Sequence, residues 1–275
     1  MAMPDLSLRD RLLKGGMGLA GLSLLSTGLS LVVGLLIARS LGPFEYGIYA
    51  FAGTVVTFLA IPAQLGLPKL LSREVASFLA RREYELLRGI ETWSQRFAIL
   101  MPIVVALLAG SGLLLLADRI PALDARVFLI ALIMLPLLGL SGRDQGCLSG
   151  LRRVVQATWP TAVLKPFVVL CCLALVYVFA IRLTAELAMW FNVLSIFVAA
   201  LAIRALLIRY WPRSNLPNTG RNQSRSWLSS LIPFGLLSAV SLINAKTDIL
   251  MLGFLTSPEE VGLYAISVQG GLLVS

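Results

Sequence analysis

Residues 16–38 read GMGLAGLSLLSTGLSLVVGLLIA, an unbroken run without a charge. A helix needs about 20 predominantly apolar residues to cross the roughly 30 Å hydrocarbon core of a bilayer. This run meets that length. It follows Arg9, Arg11 and Lys14, as a signal peptide would, but its apolar core is too long for that role. Ala38-Arg39-Ser40 is also a poor cleavage site, so the run reads as a retained helix. Working outward, the same reading predicts spans at 47–68, 97–117, 127–147, 158–181, 186–207 and 229–254. An eighth begins near Gly262 and is cut off at Ser275.

The composition agrees. Of 275 residues, 58% are hydrophobic and 13% charged, and the mean hydropathy is +0.87. Soluble domains hold about 45–50% apolar and about 25% charged residues. A water-soluble enzyme and a disordered tail are therefore excluded. The chain has no histidine, which removes a Ser-His-Asp triad, His-ligated zinc and imidazole acid–base chemistry. Three cysteines, two of them adjacent at 171 and 172, form neither a disulfide framework nor a CxxC metal site. Gly16–Gly21 spells GxGxxG, but no strand precedes it and a membrane span follows. No P-loop and no DxD pair occurs. No catalytic residue, cofactor or metal is predicted, and the expectation is a protein that is not an enzyme.

The formal charge of +9 needs a location before it means anything. With the N-terminus inside, the N-terminal segment, residues 69–96, residues 143–153 and residues 204–225 carry 17 of the 23 lysines and arginines. The outside segments hold only Arg39, Arg119, Arg126 and Arg182, and Lys165 and Lys246 fall within spans. Cytoplasmic loops carry such an excess, so the orientation reads as N-in, in the cell inner (cytoplasmic) membrane. The basic segments suit anionic membrane lipid, and no nucleic acid is needed to explain them.

The outside loops Leu41–Tyr46, Asp118–Arg126 and Ile181–Thr184 are too short for a folded domain. Inside, residues 69–95 mix leucines with charges at helical spacing and read as an amphipathic helix along the inner interface, or as a solvated connector. Residues 209–227 are rich in Pro, Asn, Gly and Ser, a linker pattern. The sequence also repeats itself. GPFEYGIYAFA (42–52) aligns with SPEEVGLYAIS (257–267), with identity at Pro43/Pro258, Glu45/Glu260, Gly47/Gly262, Tyr49/Tyr264 and Ala50/Ala265. Six helices separate the copies. An even number preserves orientation and gives a parallel repeat. The predicted class is an all-α polytopic helical bundle: residues 1–207 form an N-terminal lobe of six transmembrane helices, 208–228 a cytoplasmic linker, and 229–275 the truncated start of a C-terminal lobe.

The segment LGPFEYGIYAFAGTVVTFLAIPAQLGLP (41–68) resembles the start of polysaccharide transporter proteins. These are the lipid-linked oligosaccharide flippases of the multidrug/oligosaccharidyl-lipid/polysaccharide exporter superfamily. The likeness consists of a span, an LGP-x-x-YG-x-Y turn, a span ending near LGLP, and a charged inside helix. Leu148–Arg153 looks like the stretch after the fourth helix, with Ser149 in place of the usual Arg. Asn244–Asp248 through Gly253 and SPEEVGLYA resemble the passage from the seventh helix to the eighth. The resemblance implies two six-helix lobes, a central cavity and alternating access. It implies an isoprenoid-diphosphate-linked saccharide as cargo, with a polysaccharide polymerase or export machinery as a partner.

Charges inside spans are costly and mark candidate sites. Lys246 and Asp248 are two residues apart, on different helix faces, and cannot pair with each other. Asn244 and Asp248 share a face. They read either as a polar stripe on the cavity, with Lys246 near the diphosphate, or as contacts between helices. Lys165 reads as a cavity cation or as a residue snorkelling to the interface. Arg39 reads as a substrate contact or a span anchor. Arg143 and Asp144, near the inner end of the fourth span, are candidates for an inner gate. Gly142, Gly146 and Gly150 recur every four residues, which suits close helix packing. The leading function is flipping of lipid-linked saccharide. A drug/cation antiporter of the same superfamily and a membrane-embedded envelope-glycan enzyme are the alternatives. The first would favour acidic cavity residues, the second clustered acids or histidine.

Overall fold

The computed structural model describes residues 8–116, 124–212, 217, 220–221 and 223–271. Among them every regular element is helical: α1 (Leu8–Gln64), α2 (Leu67–Arg81), α3 (Tyr84–Leu116), α4 (Ala125–Leu132), α5 (Met134–Gly150), α6 (Val154–Trp159), a π turn (Pro160–Leu164), α7 (Lys165–Val178), α8 (Ala185–Tyr210), α9 (Ser224–Leu255) and α10 (Pro258–Gly271). Six stretches are long and apolar enough to span a membrane. The longest, Gly18–Gln64, has 47 residues. That is about 70 Å at 1.5 Å per residue, twice a bilayer core.

The reason it is not one rod is Gly42, at φ 77° and ψ 170°. No side-chain-bearing residue sits there comfortably, and Pro43 after it restarts the helix with its φ already set. The loop expected over Leu41–Tyr46 is thus a kink at one residue. Glu45 fixes that kink to the rest of the protein, because its Oε2 accepts from the backbone N–H of Ala185 at 2.8 Å, at the start of α8. A carboxylate is favoured at a helix N-terminus, where N–H groups lack partners. The expected 127–147 helix is divided into α4 and α5 at Ile133. Its outer loop, 118–126, lies largely outside the described residues, but Asp124 caps α4 by accepting from Arg126 N at 2.9 Å and Val127 N at 3.2 Å.

The single amphipathic helix expected over 69–95 is corrected. The chain turns at Arg82, which has φ 59°, so α2 ends and α3 begins at Tyr84. Nor does α2 present its apolar face to lipid. Leu67, Leu70, Leu71, Val75 and Phe78 are buried, packed in one core with Cys147 and Leu148 of α5. The glycine stripe of α5 makes this possible. A Cβ at Gly146 would stand 2.6 Å from the Pro68 carbonyl oxygen, and one at Gly150 would stand 2.7 Å from Val75 Cβ. Small residues let backbones approach in the way the spacing predicted.

The last two helices lean on α1. Phe234 and Gly235, early in α9, meet Gly66 and Leu65 at the end of α1. Gly253, late in α9, meets the Phe51 ring, and Gly47 meets Pro258 at the start of α10. So α9 runs antiparallel to the second half of α1, and α10 starts beside the start of that half. The contact of the two motif copies is reciprocal. A Cβ on Gly47 would overlap the Pro258 carbonyl, and one on Gly262 would overlap the Pro43 carbonyl. Equivalent positions exchange equivalent contacts, as across a two-fold axis. One core cluster includes both copies: Tyr46 and Phe51 from one, Val261 and Ala265 from the other. In the expected linker, residues 213–216, 218–219 and 222 lie outside the described residues. The Arg221 N–H donates to the Glu85 carbonyl at 3.0 Å, and α9 starts at Ser224, earlier than position 229.

Candidate functional site: a cationic cavity beside the helix kink

A cavity of about 400 Å³ opens between α1, the π turn with α7, α8 and α9. Its wall includes Ser30, Tyr46 and Tyr49 from α1, Thr161 and Lys165, Asn192 from α8, and Lys246 from α9. Each polar side chain arrives there for a local reason. After the Gly42 kink, Tyr46 and Tyr49 lie one turn apart on the second half of α1 and so share a face, with ring centroids 6.1 Å apart. Pro160 and Pro166 bracket Lys165. Between them the helix widens to a π turn, in which Lys165 N bonds the Pro160 carbonyl. A π turn adds a residue to the helical cycle and so rotates the helix beyond it, a device frequent at functional sites. The first residue of the rotated helix is Lys165.

Asn192 Nδ2 donates to Tyr49 Oη at 2.9 Å, while Asn192 Oδ1 is buried and has no partner among the described residues. No carboxylate appears on this wall, and neither lysine takes part in a salt bridge among the described residues. Two ammonium groups from helices distant in sequence therefore share one polar volume without a counter-ion among the described residues. Placed in hydrocarbon, each would cost about 2.5–3.5 kcal/mol even on the milder insertion scales. A cavity that admits water or an anion removes most of that cost.

The other candidates do not join them. Asp248 accepts from Tyr264 Oη of α10 at 2.8 Å and is absent from the cavity wall. It ties the last two helices together. Asn244 and Arg39 are exposed and also off the wall. Arg143 and Asp144 are both buried, in a network inside the bundle. Arg143 Nη1 meets Asp144 Oδ1 at 2.6 Å, its Nε donates to Ser94 Oγ at 3.3 Å, and its Nη2 donates to the Glu91 carbonyl at 3.1 Å. Arg204 of α8 reaches the same carboxylate at 3.0 and 3.2 Å. The partners lie on α3, α5 and α8 and none on α9, so the group clamps three helices to one another.

Sequence reasoning missed Tyr49, Asn192 and Arg204. Signals existed. Asn192 is an uncharged polar residue in the middle of an apolar span, and the two prolines six residues apart mark the turn that aims Lys165.

An all-α polytopic membrane bundle with a cationic cavity between its helices is the class that this geometry defines. No curated protein and no solved structure matches the chain. The family model described as Polysaccharide biosynthesis protein matches residues 12–274, and the chain belongs to that family. This is the family that residues 41–68 resemble, and it makes the chain a multi-pass membrane protein of polysaccharide biosynthesis.

Proposed function

We propose that the protein flips lipid-linked oligosaccharide or polysaccharide precursors across the cytoplasmic membrane by alternating access, with its N-terminus inside. It acts as a transporter and not as an enzyme. The observation that carries this reading is the convergence of Lys165 and Lys246 on one polar cavity. An isoprenoid-diphosphate-linked saccharide brings a polyanion to two unpaired cations, and the apolar faces around the cavity suit its chain. A cation antiporter would want a carboxylate in that position. The acid two residues after Lys246, Asp248, is engaged by Tyr264. The walls come from both sides of the proposed lobe division, with Lys165 before residue 207 and Lys246 after 229, so relative motion of the two parts would open and close the cavity. The antiparallel course of α9 against the second half of α1, with α10 starting beside the start of that half, supports a parallel repeat of two lobes.

The test is transport by the full protein in proteoliposomes, using a fluorescent short-chain lipid-linked saccharide and an impermeant quencher. Lys246→Ala and Lys165→Ala should each cut the flipping rate at least tenfold with insertion unchanged. Lys246→Arg should keep more activity because the charge survives although its geometry changes. Unchanged rates in both alanine variants would remove the proposal's basis.

A further inference from the structure

The charges of the network on α3, α5 and α8 do not balance. Arg143 and Arg204 share the single carboxylate of Asp144. Glu91, whose carbonyl Arg143 uses, gives its own carboxylate to Arg88 at 2.8 Å. Three guanidinium groups therefore stand against two carboxylates. The surplus falls on Arg204, the partly exposed member on α8. Its Nη1 is held by Asp144, and its Nε and Nη2 have no hydrogen-bond partner among the described residues. At 1.5 Å per residue, Arg204 lies about 28 Å along α8 from Ala185, and Asp144 about 28 Å along its span from Ala125. Both stand near the linker-side boundary of a roughly 30 Å hydrocarbon core, where phosphate headgroups begin.

That part of the bundle surface is shaped as well as charged. Trp190, Leu194, Phe197, Leu201 and Ile208 recur at helical spacing on α8 and are all exposed, which makes them its lipid-facing stripe. Between the stripe and α5 runs a groove of about 130 Å³. Leu137 and Leu140 of α5 and Phe197 and Leu201 of α8 line it, and Asp144 and Arg204 close its linker-side end.

We propose that this groove binds one anionic phospholipid, with the phosphate on Arg204 and the first part of an acyl chain against Leu140, Phe197 and Leu201. The free Nε–H and Nη2–H edge of Arg204 is the parallel pair of donors that takes two phosphate oxygens at once. From there the apolar groove runs toward the bilayer centre, as an acyl chain does. A headgroup of net charge −1 cancels the surplus, whereas a zwitterionic headgroup brings a cation with its phosphate and leaves the surplus in place. The charge also favours lipid over a second copy of the chain docked through the same stripe, which carries no acid. A ligand that binds only the folded form stabilises it, so the lipid completes the clamp between three helices. This site is separate from the lysine cavity and stands independently of the transport reading.

The experiment is native mass spectrometry of the purified full chain, titrated with phosphatidylglycerol and with phosphatidylcholine of the same acyl chains. Wild type should hold one phosphatidylglycerol about tenfold more tightly than phosphatidylcholine, the scale of one charge-assisted hydrogen bond. Arg204→Met should abolish that preference. Arg209→Gln removes an exposed cation outside the groove and should keep it. Ala200→Leu narrows the groove with every charge in place; it should weaken phosphatidylglycerol severalfold and serves if Arg204→Met folds poorly. Equal binding of the two lipids by wild type overturns the proposal. So does equal loss in Arg204→Met and Arg209→Gln, the mark of attraction to the basic surface in general. Displacement of the lipid by millimolar inorganic phosphate would make Arg204 an ion site alone, and a lipid-free dimer broken by Ala200→Leu would make the groove an interface between copies. Either result also overturns it.

Discussion

Removing the Asp144 carboxylate should damage the protein far more than removing the partly exposed Arg204 from the network. Asp144 and Arg143 are each 2% exposed, whereas the Arg204 side chain is 34% exposed. Asp144→Ala deletes the 2.6 Å contact to Arg143 and both contacts to Arg204. It leaves one guanidinium buried and unpaired beside a second. Breaking a buried ion pair from one side costs about 3–5 kcal/mol, mostly from the uncompensated charge left behind. Arg204→Met removes only the partner that water already reaches, and Asp144 keeps Arg143, so about 1 kcal/mol is expected after discounting for solvent screening. Arg143→Met with Asp144→Leu together should recover most of the loss, because no charge is then stranded. The assay is reversible unfolding in mixed micelles, titrated with SDS and followed by tryptophan fluorescence. Equal, small shifts for Asp144→Ala and Arg204→Met would refute the view that burial sets the cost. A double variant as poor as Asp144→Ala would refute the stranded-charge argument.

Two further outcomes concern architecture. In a cysteine-free background, Glu85→Cys and Arg221→Cys, both at exposed positions, should react with an impermeant thiol reagent only after cells are opened; labelling of intact cells reverses the proposed orientation. Gly47→Leu and Gly262→Leu should each destabilise by about 1–3 kcal/mol, since the added side chain overlaps a backbone carbonyl across the α1–α10 crossing. Gly28→Ala, with open space around it, should be neutral or slightly stabilising. A loss at Gly28 equal to that at Gly47 would show that the crossing is not the cause.

The number and length of the membrane crossings were legible in the residues. Apolar run length measures the bilayer directly, and a backbone in hydrocarbon has to be helical to satisfy its own N–H and C=O groups. The α5 glycine stripe and an interruption near Pro43 were also readable, because each rests on a local rule of backbone geometry or side-chain size; that the two motif copies touch each other was not. What hydropathy does not carry is the direction each helix faces. Lipid tails and neighbouring helices are equally apolar, so a leucine stripe looks the same on either side. That is why α2 read as an interfacial helix when its leucines in fact fill a core with α5, and why Lys165 read equally well as a snorkelling residue. It is also why Asp248 read as a cavity residue although Tyr264, on the next helix, holds it. The meeting of Lys165 with Lys246, and of Tyr49 with Asn192, depends on a π turn, a one-residue kink and the lean of α9 on α1. These place side chains from distant spans in one volume, and no periodicity within a single span encodes that volume.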